Sequence, residues 1–150
     1  MKNIENWDGM RVLTVREPWA SLIVTGQKNC ENRSRYLGHR GPLLIHASAS
    51  LTRDYYDAAC AWISRYVERM HGVTVNYPCF AECKANRGKI IGGCEVGSCY
   101  RTSESFWFDD AGFAIELGNA WVATTPVSFK GQLSLGTYHA PKGVHDESRP

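Results

Sequence analysis

No apolar run in this chain is long enough to cross a membrane. Stretches such as Leu22-Ile23-Val24 fall far short of the roughly 20 residues that a spanning helix needs. No basic start joined to an apolar core marks a secretory leader, which points to the cytoplasm and to reduced thiols. Cysteine is sparse, six residues in 150, so no disulfide scaffold is called for. Phosphate-binding loops, dinucleotide fingerprints and Gly-x-Ser-x-Gly turns are missing, which removes the familiar nucleotide-cofactor and serine-hydrolase signatures. Nothing therefore calls for a cofactor. There is no internal repeat and no composition shift that would divide the chain.

What is present is the composition of one globular core: 43% hydrophobic and 21% charged residues over 150 positions. The net charge of +2 says little by itself. Its distribution says more. Between Gly26 and Arg40 stand Lys28, Arg33, Arg35 and Arg40 against the single acid Glu31, whereas Glu104, Asp109, Asp110 and Glu116 form an acidic stretch later. A local basic patch on a nearly neutral protein suits an anionic ligand better than general coating of nucleic acid.

Residues 1–9 lack periodicity and read as a flexible arm, and residues 140–150 as a flexible tail, around a domain at 10–139. Met10 to Val15 reads as a strand. A short helix follows, with Pro18 in its first turn, Trp19, Leu22 and Ile23 on one face, and Gly26 closing it. Gln27 to Ser34 is expected to be a strand carrying functional side chains, and Leu43 to Ala47 a buried strand. Leu51, Tyr55, Ala59, Trp62, Ile63, Tyr66, Val67 and Met70 give the apolar stripe of a scaffold helix, capped by Ser50 or Thr52 and closed at Gly72. Gly72 to Arg87 reads as loop. Lys89 to Val96, Phe113 to Leu117, Trp121-Val122 and Val127 to Tyr138 read as strands separated by glycine breaks. Two helices followed by short strands predict an α+β domain built as a small mixed β-barrel rather than a doubly wound sheet.

Three groups of residues invite chemistry. If Lys28 to Arg33 is extended, Lys28, Cys30 and Asn32 share one face and Glu31 and Arg33 the other. Lysine and carboxylate would then meet only through a twist, a bulge or a neighbouring element. A solvated edge strand is the plainer alternative. Cys30, beside those charges, has a setting that could lower a thiol pKa, yet reads as a bystander. Arg16, Glu17 and Trp19 stand at a helix start, where free N–H groups suit an anion; Trp19 itself is expected in the core. Cys79 and Cys83, and Cys94 and Cys99, lack the two-residue spacing of zinc knuckles, so free thiols are expected and no metal. His46, within a strand, is expected to be structural.

Leu13 to Leu22 with Glu17-Pro18-Trp19-Ala20, then Gly26-Gln27-Lys28 with Glu31 and Arg33-Ser34, resemble the ASCH domain, a PUA-like family named for a transcriptional coactivator, the activating signal cointegrator. Arg40 to Ser48, Arg87 to Gly92, Phe129-Lys130-Gly131-Gln132 and Leu135 to Tyr138 complete the resemblance in the family's order. The resemblance implies a PUA-like barrel flanked by helices, with a cleft beside the signature that holds single-stranded RNA or a nucleoside. Residues implied to bind ligand are Arg16, Glu17, Ser21, Arg33, Arg35 and Lys130. One bacterial branch hydrolyses N4-acetylcytidine nucleosides with a lysine, a threonine three positions later and a glutamate, and another member is described as a ribonuclease. Lys28 falls on that lysine, but Glu31 stands in place of the threonine hydroxyl. Any catalysis would then rest on Lys28 and Glu31 with water attacking. The neighbouring carboxylate favours Lys28 as a clamp for an anion or a carbonyl rather than as a base.

Overall fold

The computed structural model describes residues 7–141. Its elements run β1 (Arg11–Val15), α1 (Trp19–Val24), β2 (Cys30–Arg33), β3 (Gly41–Ala47), α2 (Arg53–Ile63), α3 (Phe80–Asn86), β4 (Lys89–Tyr100), β5 (Phe113–Ser128) and β6 (Gly136–Thr137). A π-helical stretch, Ser64–Arg69, continues α2. The strands form one six-stranded sheet in the order β2-β5-β4-β3-β1-β6, with β1 parallel to β3 and every other pairing antiparallel. The domain is therefore α+β, as expected. Closure into a barrel is not among these pairings: β2 and β6 end the order as its two edges.

Strand alternation sorts the core onto both faces of the sheet. Leu13, Val15, Leu43 and Ile45 pack on one face with Ala20, Ile23 and Val24 of α1. Val12 and Leu44 point the other way, into a cluster with Trp7, Ile90, Ala123 and Tyr138. A third cluster lies beneath α2, where Ile63 and Val67 meet Leu22, Cys30, Trp107 and Phe108. The described part of the expected arm is thus packed: Trp7 is buried against Trp121 and Tyr138. Residues 1–6 of that arm and 142–150 of the expected tail lie outside the described residues.

Local chemistry explains the helix ends. The Thr52 hydroxyl accepts the Tyr55 N–H at 3.1 Å and opens α2. Gly72, at φ +67°, closes the far end. Glu68 then ties down the chain beyond it, accepting the Val75 N–H at 3.0 Å and the Tyr77 hydroxyl at 2.6 Å. The segment read as loop contains α3, which is only seven residues long and starts without a side-chain cap. Trp121-Val122 is no separate strand. Phe113 to Ser128 is one strand that passes Gly118 and Asn119, and shifts of register against β4 absorb the irregularity. Of the expected strand Val127 to Tyr138, only Val127 and Ser128, which end β5, and Gly136 and Thr137, which form β6, are extended into the sheet.

Gly92 and Gly93 show why β4 carries a glycine pair at its centre. A Cβ on Gly92 would lie 2.2 Å from the Trp121 carbonyl oxygen, and one on Gly93 would lie 2.5 Å from the Trp121 ring. The backbones come that close because β5 crosses there with its indole folded onto β4.

Candidate functional site

The loop after α1 creates the site. Gly26, at φ +81°, reverses the chain, and the Lys28 N–H returns to the Leu22 carbonyl at 2.9 Å. Lys28 therefore precedes β2, which begins at Cys30, and escapes the alternation that would have parted it from Glu31. Its ammonium donates to Glu31 Oε1 at 2.8 Å and to the Cys30 carbonyl. Lys28 is 3% exposed, an unusual setting for a lysine, and the Trp19 ring centroid lies 5.8 Å from Nζ. An ammonium has three donors, so one N–H remains for a ligand. Glu31 Oε2 likewise takes no hydrogen bond from the described residues.

Lys28 and Glu31 line a cleft of about 460 Å³ whose wall includes four aromatic side chains. Trp19, Trp62 and Trp107 face it together with Tyr55, Arg16 and Asp109. Trp19 packs edge-on to Trp62 with centroids 5.9 Å apart, and its indole N–H donates to the Tyr55 hydroxyl at 3.0 Å. The Arg16 guanidinium lies 4.7 Å from the Tyr55 ring centroid. Asn32 fixes the third tryptophan: its Nδ2 donates to the Trp107 carbonyl at 2.9 Å, and its Oδ1 accepts the Asp109 N–H at 3.1 Å. The rings are thus held in place before any ligand arrives.

The expected site residues divide. Lys28, Glu31 and Arg16 come together on the cleft. Arg33 does not line it; it borders a shallower hollow with Ser34, Ala111 and Gly112. Arg35 and Lys130 are exposed and also lie off the cleft wall. Glu17 and Ser21 are turned inward. The Glu17 carboxyl, fully buried, accepts the Ser21 N–H at 2.7 Å, the Ser21 hydroxyl at 2.5 Å and Asn86 Nδ2 at 3.0 Å. That carboxyl holds the start of α1 to α3, a structural task.

Trp19, expected in the core, is half-buried: it packs against two of the core clusters and also forms part of the cleft wall. Tyr55, Ala58, Ala59 and Trp62 bring α2 to the cleft as well, although its apolar stripe reads as pure scaffold. Cys30 is no activated thiol. Burial pushes it up to about 11, outweighing the nearby Lys28 ammonium. His46 is buried with Nδ1 3.0 Å from the Thr14 hydroxyl, and burial shifts its pKa down, so the ring is the neutral partner of that contact. All six cysteines are unpaired, and among the described residues no three His, Cys, Asp or Glu side chains gather as metal ligands. No helix among them is long and apolar enough to cross a membrane.

Fold and site together define an α+β domain with a preformed cleft, walled in part by aromatic rings and lined by a buried lysine paired with a half-buried glutamate. The family model of the ASCH domain matches residues 13–132, and the chain belongs to that family. The chain is also similar to "Activating signal cointegrator 1" of Homo sapiens, with 53% identity over 45 residues, and to the Mus musculus protein of the same name, with 50% over 44. Those segments cover 30% and 29% of this chain but only 8% of each relative.

Proposed function

We propose that the cleft binds RNA through an unpaired base, or a nucleoside of the same kind. The observation that carries this reading is the Lys28–Glu31 pair set among three tryptophans. Indole faces suit the flat surface of any base, and a free ammonium proton beside a free carboxylate oxygen suits the mixed acceptor and donor edge that bases present. Single-stranded RNA fits best, since paired bases cannot offer both faces and edges. Arg16 at the cleft, with Arg33 and Arg35 nearby in sequence, supplies charge for the sugar–phosphate backbone. Lys130, exposed and off the cleft wall, has a part only if the strand runs beyond it. About two phosphate contacts predict a five- to tenfold loss of affinity between 50 and 200 mM salt. Fluorescence anisotropy with a labelled oligoribonucleotide measures it, and salt-independent binding would count against the reading.

Hydrolysis of a modified nucleoside is the second reading, favoured by one feature: Glu31 lines the cleft, and its Oε2 takes no hydrogen bond from the described residues. Water would attack the acetyl carbonyl carbon, with Lys28 clamping the carbonyl oxygen and Glu31 taking the water's proton and passing it to N4 as the C–N bond breaks, so that acetate and cytidine leave. Release of acetate from N4-acetylcytidine, abolished by Glu31→Gln, is the expected result. Release no faster than in buffer ends this reading, and cleavage of labelled RNA in the same assay distinguishes a ribonuclease.

A further inference from the structure

The cleft is not where the exposed aromatic surface stops. Trp62 on its wall touches Tyr66 one turn further along the helix, with ring centroids 5.5 Å apart, and Tyr66 is 40% exposed. On the other side Trp107 is followed back along the chain by Phe106, 45% exposed, whose ring stacks on His71 at 3.9 Å and 7°. The helix end thus carries flat rings outside every core cluster, continuous at Trp62 and Trp107 with the cleft. Its outward charge is positive. Arg65 and Arg69 are exposed, the Arg65 guanidinium lying 5.4 Å from the Tyr66 ring centroid. Glu68, the one acid of the stretch, has both oxygens turned onto Val75 and Tyr77.

We infer that this helix end, Arg65 to His71 with Phe106, is a track for the nucleotides that flank the one held in the cleft. The ligand class is then an internal stretch of single-stranded RNA rather than a free nucleoside. The inference rests on the cleft reading above and adds to it a strand path. Stacked rings interleaved with arginines suit successive bases and phosphates, because every base has a π face and every linkage an anionic charge. A protein partner could use exposed rings too, but on the helix end itself Arg65 and Arg69 point outward while its one acid, Glu68, is turned inward, and that side favours the polyanion although Glu104 and Asp109 are exposed beside Phe106.

The test compares a mixed-sequence hexaribonucleotide with the four nucleoside 5′-monophosphates by titration calorimetry. Wild type is expected to bind the hexamer at least about tenfold tighter than any monophosphate. The double variants Tyr66→Ala/Phe106→Ala and Arg65→Ala/Arg69→Ala are expected to lose most of that advantage while binding the best monophosphate as wild type does. Their circular dichroism melts should be unchanged, since all four side chains are exposed. A hexamer no tighter than a monophosphate, or an advantage that survives both variants, overturns the track and leaves the cleft standing. Failure of both ligands to bind overturns the cleft reading and this inference with it.

Discussion

Lys28→Met is expected to weaken binding of single-stranded RNA by about 10- to 100-fold, the loss of one buried charge-assisted hydrogen bond. Methionine keeps the unbranched stem and much of its volume, so the packing against Trp19 survives while the charge does not. The variant also leaves Glu31 alone at the floor of the cleft, where an unpaired carboxylate repels phosphate. Glu31 is half-buried and can turn towards water, so the fold should tolerate the change. A thermal midpoint within about 5 °C of wild type, beside the anisotropy titration, separates lost binding from lost structure. Unchanged affinity would remove Lys28 from the site.

Glu17→Ala should give the opposite pattern. Removing a fully buried carboxyl strands the Ser21 N–H and the Ser21 hydroxyl proton, and leaves Asn86 Nδ2 only its 3.3 Å bond to the Ser21 hydroxyl oxygen. Unmet buried donors of this kind cost about 3 kcal/mol in sum, which lowers the melting midpoint on the order of 10 °C. Binding by the molecules that remain folded should be as in wild type. Calorimetric melting and titration below the transition check both halves. A stable variant that no longer binds would return Glu17 to the ligand site.

That contrast marks how far the sequence could be read. The resemblance picks out both Lys28 and Glu17, because a motif reports which residues recur and not which way they face. Glu17 sits in the motif for the sake of α1 and α3, and nothing in its neighbours announces Asn86, which is 69 positions away. A strand over Gln27 to Ser34 would part Lys28 from Glu31 by alternation, but the strand that forms begins only at Cys30. Gly26 and the return of Lys28 to Leu22 place the lysine ahead of β2, and the conflict vanishes. Of the expected ligand-binding and catalytic residues, Lys28, Glu31 and Arg16 meet on the cleft, and their chemistry is local in sequence.

The aromatic wall was hidden for a different reason. Tyr55, Ala59 and Trp62 recur at helical spacing, and such a stripe looks the same whether it faces a core or a cleft. Only the tertiary pairing of α2 with Trp19 and with the 107–109 segment decides which. One signal was available: tyrosine and tryptophan carry polar atoms that a dry core must satisfy, and a stripe rich in them hints at a wet surface. The helix α3 escaped because seven residues with no side-chain cap carry too little periodicity to stand out. Phe113 to Leu117 and Trp121-Val122 read as separate strands at a glycine break, whereas the sheet absorbs Gly118 as an irregularity within one strand.

If RNA binds at the Lys28–Glu31 cleft, as proposed, the five tryptophans report it most directly. Trp19, Trp62 and Trp107 line the cleft, while Trp7 and Trp121 pack against each other in a separate core cluster. Indole N–H signals of 15N-labelled protein, followed by NMR during titration with a single-stranded hexaribonucleotide, read both sets at once. Saturable shifts are expected at the three cleft indoles, and none of note at Trp7 and Trp121. Saturable binding that leaves the cleft indoles unmoved would contradict binding at the cleft.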